Sequence, residues 1–187
     1  MAQPLIERIG AHHDCDKFRC NHGKLQLFIR RHALANDQND FGVTHVAVDA
    51  ADKTVVGYYT LSSATVRAKE FPEEESKFHY TDVGVILIGM LAVHKNQKRK
   101  KIGEGMLIHL LHKAEEVSQR CGAYAVVVDS LPTEEAIGFY TKYGFQKLKK
   151  ENQDGTVPMF IFMRKVREML DAATNSSEQS AQKTFPA

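Results

Sequence analysis

The chain has 187 residues, 43% hydrophobic and 26% charged, with a net charge of +2. That length supports one domain, or one domain with a tail, and is enough to bury a core. The near balance of charge excludes a protein that binds nucleic acid through its total charge, so any attraction to phosphate has to come from local clustering.

No apolar run approaches the roughly 18 residues of a membrane span. The start, "MAQPLIERIG", lacks the basic head and apolar middle of a signal peptide. Three cysteines, Cys15, Cys20 and Cys121, are an odd number without the spacing of a disulfide framework, which points to a reducing cytosol.

In chain order, "PLIERIG" reads as a first strand. "NHGKLQLFIRRHALAND" reads as a helix, because Leu25, Phe28, Ile29, His32 and Ala33 recur at helical spacing. "FGVTHVAVDA" alternates as a strand, and "ADK" is a hairpin turn into the strand "TVVGYYTLSSATV". "AKEFPEEESKFHYTD", polar and broken by Pro72, is a loop. "VGVILIGMLAV" is too continuously apolar for a half-exposed strand and belongs inside a sheet.

From Glu104 to Cys121 the pattern is helical. Met106, Leu107, Leu110, Leu111, Ala114, Val117 and Cys121 form one apolar stripe, and Gly122 stands where a C-terminal cap is expected. "AYAVVVD" is a buried strand. "SLPTEEAIGFYTKYG" is a second helix, with Ser130 as its expected cap, Pro132 and two glutamates in its first turn, and Gly144 at its end. "FQKLKK" and "VPMFIFMRKV" are strands joined by a turn at "NQDG". Residues 1–170 form the expected domain. Residues 171–187, rich in Ala, Ser, Gln, Asn and Thr, form the expected disordered tail. Strand–helix–strand units around one central strand imply an α/β sheet with mixed pairing.

One stretch stands apart. In "LAVHKNQKRKKIGEGML" an apolar strand stops at Val93, then come Lys95, Lys98, Arg99, Lys100 and Lys101, and then Gly103, Glu104 and Gly105 open a helix. Amides at a helix start have no partner inside the helix, and the dipole is positive there, so such a corner suits phosphate. Glycine admits close approach and lysine adds attraction. Neither the P-loop of nucleotide hydrolases nor the three-glycine dinucleotide fingerprint is present. Without either, a solvated charge run capping a helix is an equally good reading.

That stretch, followed by "VVVDSLPTEEAIGFYTKYGFQKL", resembles the GNAT acetyltransferases over residues 83–148. The family has an α/β (α+β) fold, a mixed and mostly antiparallel central sheet flanked by helices. The resemblance implies acetyl-CoA as co-substrate. Its diphosphate would be held by the loop Lys98, Arg99, Lys100, Lys101, Ile102, Gly103 and Glu104, and its pantetheine arm would pair with the backbone of Leu91, Ala92 and Val93. The family's loop glutamine or arginine falls on Lys98 and its first glycine on Lys101; only Gly103 is kept. A lysine there suits the loop if its φ stays negative. The landmark "FY-x-x-x-GF" falls on Phe139, Tyr140, Gly144 and Phe145 and implies Tyr140 as the acid that protonates the CoA thiolate.

"FRCNHGKLQLFIRRHA", "VVGYYTLSSATV" and "PMFIFMRKV" further resemble the GNAT toxins of type II toxin–antitoxin pairs, which acetylate the α-amine of an aminoacyl-tRNA and stop translation. Met90 stands where those toxins usually carry arginine, and "FRCN" replaces their "FDCG". This resemblance implies a cytoplasmic enzyme with an antitoxin protein as partner and often a dimer. Arg30, Arg31 and Lys95 would be contacts to tRNA phosphates. Two alternatives stay open: acetylation of a protein N-terminus, a lysine or a small amine, and a non-catalytic module that binds CoA or nucleic acid. His12, His13, Cys15, Cys20 and His22 carry zinc-ligand chemistry, but their irregular spacing has no completing cluster, and no metal is expected.

Overall fold

The computed structural model describes residues 4–49, 54–72 and 80–182, with side chains as far as residue 173. The expected turn at 51–53 and residues 73–79 of the expected polar loop lie outside the described residues. The chain divides into two units, Met1–Thr65 with Val85–Ala114 and Val66–Gly84 with Glu115–Ala187.

The first unit carries strands β1 (Leu5–Arg8) and β2 (Val43–Val48) and most of β3 (Val55–Arg67) and β4 (Asp82–Val93), in that spatial order. β1 pairs antiparallel with β2, and β2 with β3. Asp49 N–H donates to the Thr54 carbonyl at 2.9 Å, closing the expected β2–β3 hairpin on either side of its turn.

The expected single helix after β1 is two, α1 (Gly23–Arg31) and α2 (Ala33–Gln38), broken at His32 with φ −122° and ψ −30°. The break delivers Asp37 to the interior, where its carboxylate accepts from Arg8 Nε at 3.0 Å and from Thr44 N–H at 2.8 Å. A buried carboxylate needs such partners, so the pair of bonds fixes where the helix must turn.

Alternation along β3 splits the unit into two faces. Tyr58 faces α1: its hydroxyl donates to the Leu25 carbonyl at 2.7 Å, Phe28 stacks on it, and Phe18 meets it edge-on. Gly57 and Tyr59 face helix α3 (Ile102–Cys121). A Cβ on Gly57 would lie 2.7 Å from Met106 Cε and 3.3 Å from the Ala92 carbonyl oxygen, so the missing side chain sets how closely α3 approaches. The stripe Met106, Leu107, Leu110, Leu111 and Ala114 is fully buried. It stops there: Val117 is 42% exposed, Cys121 is exposed, and the small Ser118 is the buried residue of the last turns. Gly122 follows with φ +71°, the expected cap.

On the α3 face His45 stacks on Tyr59 with ring centroids 5.0 Å apart, and the Tyr59 hydroxyl bonds His109 Nδ1 at 2.7 Å. His45 Nδ1 is buried without a hydrogen-bond partner among the described residues. Burial first, then the neighbouring His109 and Lys113, push the His45 pKa down to about 4 from 6.5. Above pH 6.5 the ring is neutral folded or unfolded and pH has no effect through it. Between 6.5 and 4 the unfolded chain takes up a proton that the folded chain does not, so stability falls as pH falls. The expected loss is on the order of 1–2 kcal/mol, since solvent reaches part of the ring and screens the charge. Denaturant titrations at pH 7 and pH 4.5 measure it, and His45→Gln should flatten the difference.

The second unit carries β5 (Ala125–Ser130), β7 (Val157–Phe162) and β6 (Gln146–Lys147), paired antiparallel in that order. Phe71, fully buried, sits among Tyr124, Phe160 and Phe162. Helix α4 (Glu134–Lys142) is capped not by Ser130 but by Thr133, whose Oγ1 accepts from Ala136 N–H at 3.2 Å. Ser130 is the buried last residue of β5 instead. Thr133 suits the role because Glu134 and Glu135 then fill the first turn next to the positive dipole end.

The last expected strand also ends early. β7 stops at Phe162, and α5 (Met163–Gln182) begins at once. Met163, Val166 and Leu170 are buried at helical spacing, which overrides the strand reading of "MRKV". α5 continues through residues 171–182, where a disordered tail was expected, and residues 183–187 lie outside the described residues.

Candidate active site

β4 ends in a part-open stretch. Ala92 is buried, while Leu91 and Val93 are half-buried and Gly89 is exposed. Beyond Val93 the chain makes one 3-10 turn, Lys95–Gln97, capped by His94, whose Nδ1 accepts from Asn96 N–H at 3.2 Å. The turn is anchored from behind by Lys95 N–H donating to the Arg19 carbonyl at 2.7 Å.

The basic segment then enters the left-handed region twice. Arg99 has φ +63° and Lys101 φ +60°, with Lys100 between them outside the left-handed region. Left-handed residues alternating with right-handed ones are the setting in which successive amides form an anion-binding nest, which makes this segment the candidate nest. Lys101 does not meet the condition set for it, a negative φ. It stands where the related loops carry glycine, and it keeps a conformation that glycine adopts freely. Left-handed backbone costs about 1–2 kcal/mol at each non-glycine residue. Strain of this kind persists where the surrounding structure imposes it, and it gathers at functional sites.

α3 starts directly behind this nest. Its first helical bond runs from Gly105 N–H to the Lys101 carbonyl at 2.9 Å. The amides of Ile102 and Gly103 precede that bond and are not used by the helix, so they extend the row of donors begun in the loop. The side chains of Lys95, Lys98, Arg99, Lys100 and Lys101 are all exposed. The geometry thus collects amides, a helix dipole and five cationic side chains at one corner of the first unit.

Arg30 and Arg31 occupy the last turn of α1. Arg30 lies 3.9 Å from Asp16 and is only 26% exposed, so part of its charge is already answered; Arg31 is exposed.

Tyr140 belongs to α4 in the second unit and is 6% exposed. Its ring packs against Phe139 and Phe145, and its carbonyl accepts from Tyr143 and Phe145 N–H at the helix end. Its hydroxyl makes no hydrogen bond to another described residue. Burial pushes the phenol well above its ordinary value of 10. The group is protonated at pH 7 in either case.

Among the described residues Cys15, Cys20 and His22 do not gather with His12 and His13 into one group of ligand atoms. Cys20 Sγ donates to the His22 carbonyl, and burial first, with Asp14 and Asp16 nearby, raises the Cys15 thiol to about 11.

A family model described as an acetyltransferase (GNAT) domain matches residues 40–147. A tRNA-acetylating toxin of Mycobacterium tuberculosis is 28% identical over 139 residues, covering 74% of this chain and 82% of the toxin. Among solved structures, a tyrosine-to-phenylalanine variant of KacT superposes with a TM-score of 0.82 at 24% identity, over 90% of this chain and 99% of that one. AtaT complexed with acetyl-methionyl-tRNAfMet superposes with a TM-score of 0.79 at 22% identity, over 89% and 98%. These superpositions share the mixed α/β architecture with mostly antiparallel strands described above. The family match spans more than half of the 187 residues and takes in the nest and α3 as well as Tyr140, which makes the chain a member of the GNAT acetyltransferases, with acetyl-CoA as its acyl donor.

Proposed function

We propose that this acetyltransferase moves the acetyl group of acetyl-CoA to the α-amine of an aminoacyl-tRNA and so stops translation, acting in the cytoplasm as the toxin of a toxin–antitoxin pair. The observation that carries this reading is the similarity to a tRNA-acetylating toxin over 74% of the chain. Five exposed cations at the cofactor corner support it, because they exceed what the phosphates of CoA require. Among the described residues no helix is long and apolar enough to cross a membrane.

In the proposed reaction the nest amides, with Ile102 and Gly103, hold the diphosphate of acetyl-CoA. The backbone at Leu91, Ala92 and Val93 pairs with the pantetheine arm, and one of its amides polarises the thioester carbonyl. The neutral α-amine attacks that carbon, the C–S bond breaks, and the Tyr140 hydroxyl gives its proton to the sulfur. The proton lost by the amine passes to solvent, from which Tyr140 is reprotonated. The acceptor chemistry fits a site without a strong base. An α-amine with a pKa of about 7.7–8.0 is roughly 10–20% neutral at pH 7, against well under 0.1% for a lysine side chain.

Labelled acetyl-CoA incubated with total charged tRNA, stripped tRNA, peptides and free amines tests the proposal. Label on the aminoacyl group of charged tRNA alone is expected. Label on peptides or small amines, with none on charged tRNA, overturns it. Induced expression should arrest bacterial growth.

A further inference from the structure

We propose that Glu7, His12 and His13 form a binding site for a divalent first-row metal ion of the zinc class, at the junction of β1 with the loop that follows it. Their ligand atoms lie within 4.8 Å of one another. His13 Nε2 is 2.9 Å from Glu7 Oε1, and His12 Nε2 is 3.8 Å from the same oxygen. Four-coordinate nitrogen and oxygen ligands about 2.0–2.1 Å from an ion sit roughly 3.3 Å apart, so the present spacing needs only small rotations. Glu7 and His12, with side chains 41% and 74% exposed, are free to make them.

Three features make this more than a chance meeting of polar groups. Glu7 is fixed in β1 opposite Val46 of β2, so one ligand is part of the sheet. The His13 side chain is only 3% exposed, so a second ligand is held by packing. Gly10 leaves the space that the His12 ring occupies: a Cβ there would lie 2.8 Å from His12 Cε1.

Metal binding also requires the proton on His13 to move. Its Nδ1 stands 2.9 Å from Gly10 N and 3.2 Å from the Gly10 carbonyl oxygen. Without metal, Gly10 N–H donates to Nδ1 and the Nε2–H donates to Glu7. With metal, Nε2 must offer its lone pair and the proton moves to Nδ1, where the Gly10 carbonyl at 3.2 Å accepts it once the Gly10 N–H, 2.9 Å away and now facing another N–H, turns aside. Metal-bound histidines characteristically make such a bond through the other ring nitrogen.

Two imidazoles and one carboxylate suit zinc, cobalt or nickel, with water completing the coordination. This set shares His12 and His13 with the cluster weighed in the sequence, but its third member is an acid rather than Cys15, Cys20 or His22. Metal binding would tie the loop to β1. The same loop supplies the Arg19 carbonyl that anchors Lys95, so the ion braces the segment on which the basic corner begins.

Untagged full-length protein, stripped with chelator, is titrated with zinc by calorimetry and with cobalt by absorption. One equivalent is expected to bind, without the thiolate-to-cobalt charge-transfer band, and to raise the melting temperature. His12→Ala and Glu7→Gln should each weaken binding at least 10–100-fold. His12 is exposed, so its loss leaves the fold intact. A Cys15→Ser/Cys20→Ser double variant should bind as the parent does. No binding, equal binding by His12→Ala, or loss in the cysteine variant overturns the site.

Discussion

Replacing Tyr140 by phenylalanine should lower the rate of acetyl transfer by about 10²–10⁴-fold, the range general acid catalysis supplies, and leave acetyl-CoA affinity unchanged. The substitution removes one oxygen. The ring stays packed against Phe139 and Phe145, and α4 keeps its Thr133 cap and its end bonds. Burial raises the phenol above its ordinary value, so the proton is in place throughout the neutral range. It also makes the phenol a weaker acid than one in water. The proton is therefore expected to move late, once the breaking C–S bond has put charge on sulfur. Single-turnover kinetics give the chemical step and calorimetry gives the affinity. A fall in both would mark damage to binding, and a change under about tenfold would leave Tyr140 as a packing residue.

Local signals carried much of this fold. β4 and α3 could be read because a long apolar run and a 3.6-residue stripe are dictated by burial itself, and the glycine after Cys121 did end the helix. Where the sequence misled, the deciding force acted at long range. Periodicity runs unbroken through His32, but Asp37 has to reach Arg8 and Thr44, and the helix yields. "MFIFMRKV" alternates well enough for a strand until Met163, Val166 and Leu170 are seen burying one helical face. The choice of Thr133 over Ser130 was open to reading, since the cap belongs immediately before the two glutamates.

The functional residues divide in the same way. The basic corner was visible because all its parts are contiguous, yet its left-handed φ values at Arg99 and Lys101 were not, because neither residue type advertises that conformation. The proposed metal ligand Glu7 could not be read beside His12 and His13, because folding rather than spacing brings it there.

The affinity for charged tRNA should fall about 10²-fold between 50 and 200 mM salt, while transfer to a small amine stays nearly flat. A protein that neutralises Z phosphates releases counterions, and binding falls with a logarithmic slope of about −0.9Z. Four contacts drawn from Lys95, Lys98, Arg99, Lys100, Lys101 and Arg31 give a slope near −3.6 by that rule, or roughly two decades over a fourfold change in salt. All of these side chains are exposed and so able to meet a backbone. Arg30 is a weaker contributor, with Asp16 already at 3.9 Å. Acetyl-CoA binding should respond less, because the nest holds its diphosphate through amides that carry no counterions to exchange. Lys95→Ala and Arg31→Ala separate the two roles: each should reduce the tRNA slope by about one and leave the KM for acetyl-CoA in place. A slope near zero for charged tRNA, or variants that change only the acetyl-CoA term, would confine the basic segment to the cofactor and return the acceptor to a small amine.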